Sequence, residues 1–137
     1  MTTGLDAVRN RLWAPFHDGA AAGRLMLPYC VATDRPFWPP SPTSPFAGGG
    51  EVFWREHTAE GRLMARVTYR RSFLKAFDPR LPYGVGQVEV APDVRLQAHM
   101  IEPDNAASPQ AGDIVALTFR PLIAGGAPVL VIAGDQE

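Results

Sequence analysis

Leu5, Val8, Leu12 and Phe16 recur at spacings of three and four, which gives one face of a short N-terminal helix an apolar stripe. Thr3 followed by Asp6 has the form of a capping box ahead of it. Gly19 and Gly23 then bracket a small-residue stretch that fits either a further helical turn or a tight loop. Between Pro28 and Gly50 the pattern is irregular. Pro36, Pro39, Pro40, Pro42 and Pro45 remove backbone donors, and Gly48-Gly49-Gly50 removes stiffness. From Glu51 the period changes to two. Leu63, Ala65, Val67 and Tyr69 alternate with Arg62, Met64, Arg66, Thr68 and Arg70, which predicts a half-buried strand with the arginines outward. Val52-Phe53-Trp54 precedes it. Val88 with Val90, then Val94, Leu96, Ala98 and Met100, predict a hairpin about the turn Ala91-Pro92-Asp93. Val115, Leu117 and Phe119 alternate in another strand, and Val129 to Ala133 forms a last run after Gly125-Gly126. Five or six short strands of this kind predict a small closed barrel, because closure removes the edges that an open sheet must protect.

Composition narrows the class. The 137 residues fit one domain with a small appendage. A content of 46% hydrophobic and 20% charged residues is globular rather than disordered. A formal charge of −1 counts against a general nucleic-acid binder, which needs an excess of Lys and Arg to displace counterions from phosphates. The single cysteine excludes an intrachain disulfide. No apolar stretch approaches the roughly 20 residues of a membrane span, and no basic segment precedes an apolar one near the N-terminus. The expected compartment is therefore the cytoplasm, with no membrane partner.

The order of features resembles the domain-of-unknown-function-35 family, whose members carry an N-terminal helix, a rubredoxin-like zinc ribbon and an OB barrel. The residues that carry the resemblance are Phe16-His17-Asp18-Gly19 and Gly23-Arg24-Leu25 leading into Cys30, then Pro39-Pro40, Pro82-Tyr83, Val88-Glu89-Val90, Val94-Arg95-Leu96 and Ala111-Gly112-Asp113-Ile114-Val115. What the resemblance implies is a mainly β chain: a helical segment over 1–29, a degenerate ribbon and linker over 30–50, and an OB-fold barrel of five or six strands over 51–137. The ribbon positions that bind zinc in the family fall here on Cys30, Thr33, Ser44 and Ala47, so three of four thiolates are absent. Structural zinc needs about four N or S ligands, and Cys30 has no thiol companion. No bound zinc is expected, and Phe37, Trp38 and Phe46 must then supply by packing what metal bonds supply in relatives.

Few residues combine into a catalytic set. No His or Asn is recognisably placed to activate Cys30 as a nucleophile, and lone intracellular cysteines are commonly inert small hydrophobes. His17, His57 and His99 lie far apart, and adjacent His17 and Asp18 diverge by about 100 degrees on a helix. Glu102, Asp104 and Asp113 sit at turn positions, where acidic residues cap or solvate loops. Gly48-Gly49-Gly50 lacks the Lys-Ser or Lys-Thr of a phosphate loop. The most chemical feature is the run Arg62, Arg66, Arg70, Arg71 and Lys75, with Tyr69, Phe73, Phe77 and Tyr83 close by. Arginine matches phosphate oxygens with a planar fork, so Arg66, Arg70, Arg71, Lys75 and Tyr83 are the candidate contacts for the diphosphate and adenine of CoA. The competing expectation is that these arginines pair with Glu89 or Glu56 across strands.

The resemblance implies a non-catalytic accessory subunit that binds CoA or acyl-CoA beside a thiolase-like, hydratase or aldolase enzyme of lipid metabolism, with no permanently bound cofactor. Homo-oligomerisation stays open. The alternative is an OB-fold protein for single-stranded nucleic acid, since such barrels combine a basic groove with stacking aromatics.

Overall fold

The computed structural model describes residues 4–46, 49–70, 82–101, 103–122 and 125–133, with the backbone alone over residues 4–10. Among the described residues one helix and seven strands follow in the order α1 (Gly4–Ala21), β1 (Met26–Cys30), β2 (Val52–Glu56), β3 (Glu60–Tyr69), β4 (Tyr83–Ala91), β5 (Val94–Met100), β6 (Ile114–Arg120) and β7 (Val129–Ile132). The chain divides into two compact units, Met1–Thr58 and Ala59–Glu137.

In the first unit, α1 carries Pro15 inside it and ends where the small residues begin to turn. The Arg24 N–H reaches the Gly19 carbonyl at 2.7 Å, the Gly23 N–H reaches that of Ala20 at 3.1 Å, and Gly23 takes φ 75°. This pair of bonds closes a helix when a glycine accepts the left-handed conformation. Both glycines are thus spent on one helix stop. β1 then pairs antiparallel with β2, from Met26 opposite Glu56 to Cys30 opposite Val52. On sequence, Pro28 opened the irregular stretch and Val52-Phe53-Trp54 was grouped with the barrel. Instead Pro28 lies inside a strand, and Val52–Glu56 is the partner of that strand. A proline has no N–H to donate but keeps its carbonyl. That carbonyl accepts the Phe37 N–H at 3.0 Å, while Tyr29 bridges to Pro36. β1 is therefore held along both edges, and Leu25, Leu27, Tyr29, Cys30 and Phe37 form the buried centre of the unit.

The second unit is a closed barrel of five strands in the order β3-β4-β5-β7-β6, with β6 returning to β3. Every pairing is antiparallel except β5 with β7, which run parallel. The fold class is that expected: mainly β, one helix, an OB-like barrel. The predicted hairpin is β4 and β5, turning at Pro92-Asp93. Leu63, Val88, Val94, Leu96, Ala98, Met100, Val115, Leu117, Leu130 and Ile132 fill the interior, while Val131, also buried, shares the other face of its strand with His99. Close packing there leaves no room at Gly86, where a Cβ would stand 2.7 Å from Leu63 Cδ1 and 3.1 Å from Ile132 Cδ1.

The strand with the clearest alternation changes face midway. Its register against β4 shifts between Leu63 and Ala65, so Met64 is an extra residue, a β-bulge. Residues opposite one another in an antiparallel pair share a face, and a slip of one residue swaps faces. Leu63 pairs with Val88 and both are fully buried, but Arg66, three positions on, pairs with Gly86, only two positions from Val88. Arg66 and Thr68 therefore share the inner face with Leu63. Ala65, Val67 and Tyr69 turn outward, with Val67 55% exposed and Tyr69 37%. The expectation that all four apolar residues face the core holds for Leu63 alone, and the expected outward row of arginines is broken at Arg66, while Arg62 and Arg70 are exposed.

Candidate functional site

The bulge decides what the arginines do. Arg62, ahead of it, donates to the Gly112 carbonyl at 2.7 Å. Arg66, past it, donates to the Pro103 carbonyl at 2.5 Å, the Pro109 carbonyl at 2.7 Å and the Ser108 hydroxyl at 3.2 Å. Arg70 makes a two-pronged contact with Asp104, both N···O distances being 2.9 Å. All three thus clasp the connection between β5 and β6. That connection has few backbone bonds of its own, and carbonyls turned away from a ladder need donors. Pro103 and Ser108, within the connection, are buried. Arg70 holds the Asp104 carboxyl below the usual range, Arg66 adds to the effect, and partial desolvation opposes it.

Of the stripe expected for phosphates, Arg62, Arg66 and Arg70 are thus engaged within the barrel. Among the described residues, neither Arg66 nor Arg70 pairs across strands with Glu89. Glu89 instead takes Arg95, its register partner, at 3.3 Å. Arg71 and Lys75 lie outside the described residues, as do Phe73, Phe77 and Glu102. Tyr83 stacks on Tyr69, ring centroids 5.2 Å apart and 21° from parallel. Tyr69 of the stacked pair borders an open groove, which is lined also by Ala65, Arg66, Val67, Val85, Gln87 and Gln97. Asp113 caps a turn as expected, its carboxylate accepting the Gln110 N–H at 2.9 Å.

His99 stands opposite Val85 on β4 and Val131 on β7. Among the described residues its Nδ1 is the buried side-chain atom with no hydrogen-bond partner, and burial lowers its pKa. The three histidines do not converge on one another within either unit: His17 is exposed and stacks on Trp13, and His57 Nδ1 lies 2.9 Å from the Thr58 carbonyl.

The ribbon positions behave differently, because the fold does gather them. Cys30 is fully buried and Ser44 is 3% exposed. The Cys30 N–H donates to the Arg35 carbonyl and the Asp34 N–H to the Cys30 carbonyl, each at 2.8 Å, which curls residues 30–35 into a tight turn. Asp34 sits there at φ 55° and is tied to Arg55 at 2.9 Å. A second turn starts at Ser44, whose hydroxyl accepts the Phe46 N–H at 2.9 Å and whose N–H donates to the Gly50 carbonyl. Hydrogen bonding from Ser44 and Thr33 lowers the Cys30 thiol, against the cost of burial. Together they hold its thiol down at about 7. Ala47 lies outside the described residues. Around the two turns, Phe37 meets Phe46 edge-on, Arg35 lies 4.2 Å over the Phe46 ring, and Trp38 packs on Trp13 and Phe16 of α1. Arg55 is similarly placed over the stacked rings of Tyr29 and Phe53.

One thiol and two hydroxyls do not fit structural zinc, which takes four thiolate, imidazole or carboxylate donors. Among the described residues no three His, Cys, Asp or Glu side chains gather at any point. The described helix is also not long and apolar enough to cross a membrane.

No family model matches the chain, and no curated protein matches it. Among solved structures, a chain described as "Ltp2-ChsH2(DUF35) aldolase" is similar at 25% identity with a TM-score of 0.74, over 90% of this chain and 94% of that one. The chain thus resembles a domain-of-unknown-function-35 protein in fold along nearly its whole length.

Proposed function

We propose, with that resemblance as premise, that this chain is an accessory subunit of an aldolase- or thiolase-type acyl-CoA enzyme, itself without the catalytic residues. The observation that carries the reading is the extent of the likeness: both the helix-and-hairpin unit and the barrel fall within the matched 90% of the chain. The side chains agree with a binding role. Cys30 is sealed from solvent and no base stands beside it among its hydrogen-bond partners. No cofactor is permanently bound in this reading, and CoA or acyl-CoA is the ligand.

The proposed CoA contacts are Arg70 with Arg71, Lys75 and Tyr83, while Arg66 supports them by fixing the 103–109 connection from below. Arg70 is exposed and its pairing with Asp104 is of the kind that contributes little to stability, so a phosphate competes for it on even terms. Calorimetric titration with CoA and acyl-CoA tests this. Arg70→Ala, Arg71→Ala should abolish binding, and Asp104→Ala, which frees Arg70, should tighten it several-fold. No binding by the parent chain, either alone or with a co-expressed aldolase- or thiolase-type subunit, would overturn the reading.

A further inference from the structure

We propose that the edge of β3 past its bulge is a docking site for an extended segment of a partner protein, which adds to the barrel as a further strand and alternates apolar with acidic side chains. β3 runs from Glu60 to Tyr69, but β6 pairs with only Glu60, Gly61 and Arg62. Leu63 is the last residue held on that side, its N–H donating to the Asp113 carbonyl and its carbonyl accepting the Gly112 N–H, both at 2.8 Å. The barrel is thus closed through one end of β3, and the bulge at Met64 marks where that pairing stops.

Which groups lie open follows from the register. Neighbouring residues of a strand send their N–H and C=O to opposite sides. Because Leu63 is bonded away from β4, its partner Val88 turns to β5, so Gln87 and Val85 turn to β3, where they stand opposite Ala65 and Val67. Arg66 and Thr68 therefore present their N–H and C=O to the open side. No backbone group among the described residues pairs with them there. Such an edge is a template for another strand, and proteins that do not use one block it with a charge, a proline or a cover. Here the side chain between the two open residues is Val67, 55% exposed, followed by Tyr69 at 37%. The groove that both border continues over Val85, Gln87 and Gln97.

The chemistry of the occupant follows from the two faces of an added strand, whose successive side chains point opposite ways. Those on the side of Val67 and Tyr69 meet apolar surface, which suits valine or an aromatic ring. Those on the other side lie along Arg66 and Arg70. Among the described residues Arg66 is tied to two carbonyls and a hydroxyl and Arg70 to Asp104, so two guanidiniums have one bonded carboxylate and the excess positive charge favours glutamate or aspartate. A second copy of this chain fits worse, because an antiparallel β3 would bring two sets of these arginines together. The edge is defined by backbone and stands whether or not the chain binds CoA.

The test follows amide hydrogen exchange residue by residue in the full chain, alone and with an end-blocked peptide of sequence Glu-Val-Glu-Tyr-Glu-Val-Glu. In the free chain the Arg66 and Thr68 amides should exchange about 100-fold faster than that of Val67, which faces β4. Saturating peptide should slow both about tenfold or more, and the Val67→Lys chain, altered only at an exposed position, should bind the peptide about tenfold more weakly. Lysine in place of glutamate in the peptide should weaken binding by a similar factor of about ten. Arg66 and Thr68 amides already as protected as Val67 in the free monomer would show the edge to be covered by the chain itself, and their protection in a dimer would show a second copy there; either overturns the proposal. So does a peptide that leaves both amides unchanged, or one with N-methylated backbone that binds equally well, since that would be docking without strand addition.

Discussion

The barrel closes its ladder on itself from β3 round to β6, whereas β1 has β2 along one edge and only Pro36 and Phe37 along the other. Within the barrel the hydrophobic side chains meet one another, and order is spread over Leu63, Val88, Leu96, Met100 and Ile132. In the helix-and-hairpin unit a few special contacts carry more of the load: Arg55 over Tyr29 and Phe53, Arg35 over Phe46, and the donor shell of Cys30. A barrel can lose one methyl contact and keep its ladder. A long loop without a ladder of its own depends on each polar contact, since burial without a partner costs more than a hydrogen bond gains.

Four perturbations probe this contrast, and the largest effect belongs to the barrel. Gly61→Ala sets a Cβ against the Glu89 backbone carbonyl, which belongs to a paired strand and has nowhere to go. Overpacking of this kind costs about 3 kcal/mol, measurable as a lowered midpoint in urea. Next comes Arg66→Ala, which strips donors from two carbonyls and from Ser108 and should cost about 2 kcal/mol. Arg70→Ala, by contrast, should cost at most about 1 kcal/mol because its pair is exposed. Equal losses for the two arginines would mean that the clasp does not distinguish inner from outer contacts.

Ser44→Ala comes third, at about 1 kcal/mol, through the lost bond to the Phe46 N–H. It should also raise the Cys30 thiol from about 7 toward its ordinary 9.0, visible as thiolate absorbance appearing at higher pH. The smallest effects are those of pH, and they have the same sign in the two units but separate them by pH window. Cys30 titrates lower when folded than when unfolded, so its contribution is fully present above about 9 and is lost as pH falls through about 7. His99 is also lowered when folded, by burial, so the folded state resists its protonation and loses stability as pH falls below 6.5. Melting midpoints of the parent, Cys30→Ala and His99→Gln chains across pH 5 to 9 should assign the alkaline slope to the first residue and the acid slope to the second. A slope that survives its own substitution belongs to another group.

The same contrast explains what was legible beforehand. The β4–β5 hairpin could be read because Val88, Val94, Leu96, Ala98 and Met100 keep strict alternation on either side of an obvious turn. β1 could not, because Pro28 mimics a strand breaker while its carbonyl, the part that matters there, leaves no mark in a sequence. The bulge was hidden by the composition of β3, whose two interleaved sets, one apolar and one basic, invite a single assignment of faces along the whole strand. The gathering of Cys30, Thr33 and Ser44 was accessible only through family resemblance. That Ser44, fourteen residues beyond Cys30, would be sealed from solvent at a turn of its own depends on geometry beyond the reach of any local pattern.

Met64 acts on β3 as a phase shifter acts on a wave. The strand's alternation is unbroken in sequence, yet its meaning reverses at that point, so the segment before it and the segment after it obey opposite rules for what may be substituted. Before Met64, a charge in place of the apolar partner ruins the interior. After it, Val67 and Tyr69 accept polar replacements, while Arg66 does not accept an apolar one. Deleting that single residue would leave a regular strand with Leu63 and Arg66 on the inner face and Ala65 and Val67 on the outer one, the phase they already hold. What the extra residue supplies is thus a place where the rule of substitution changes, not a place in the interior.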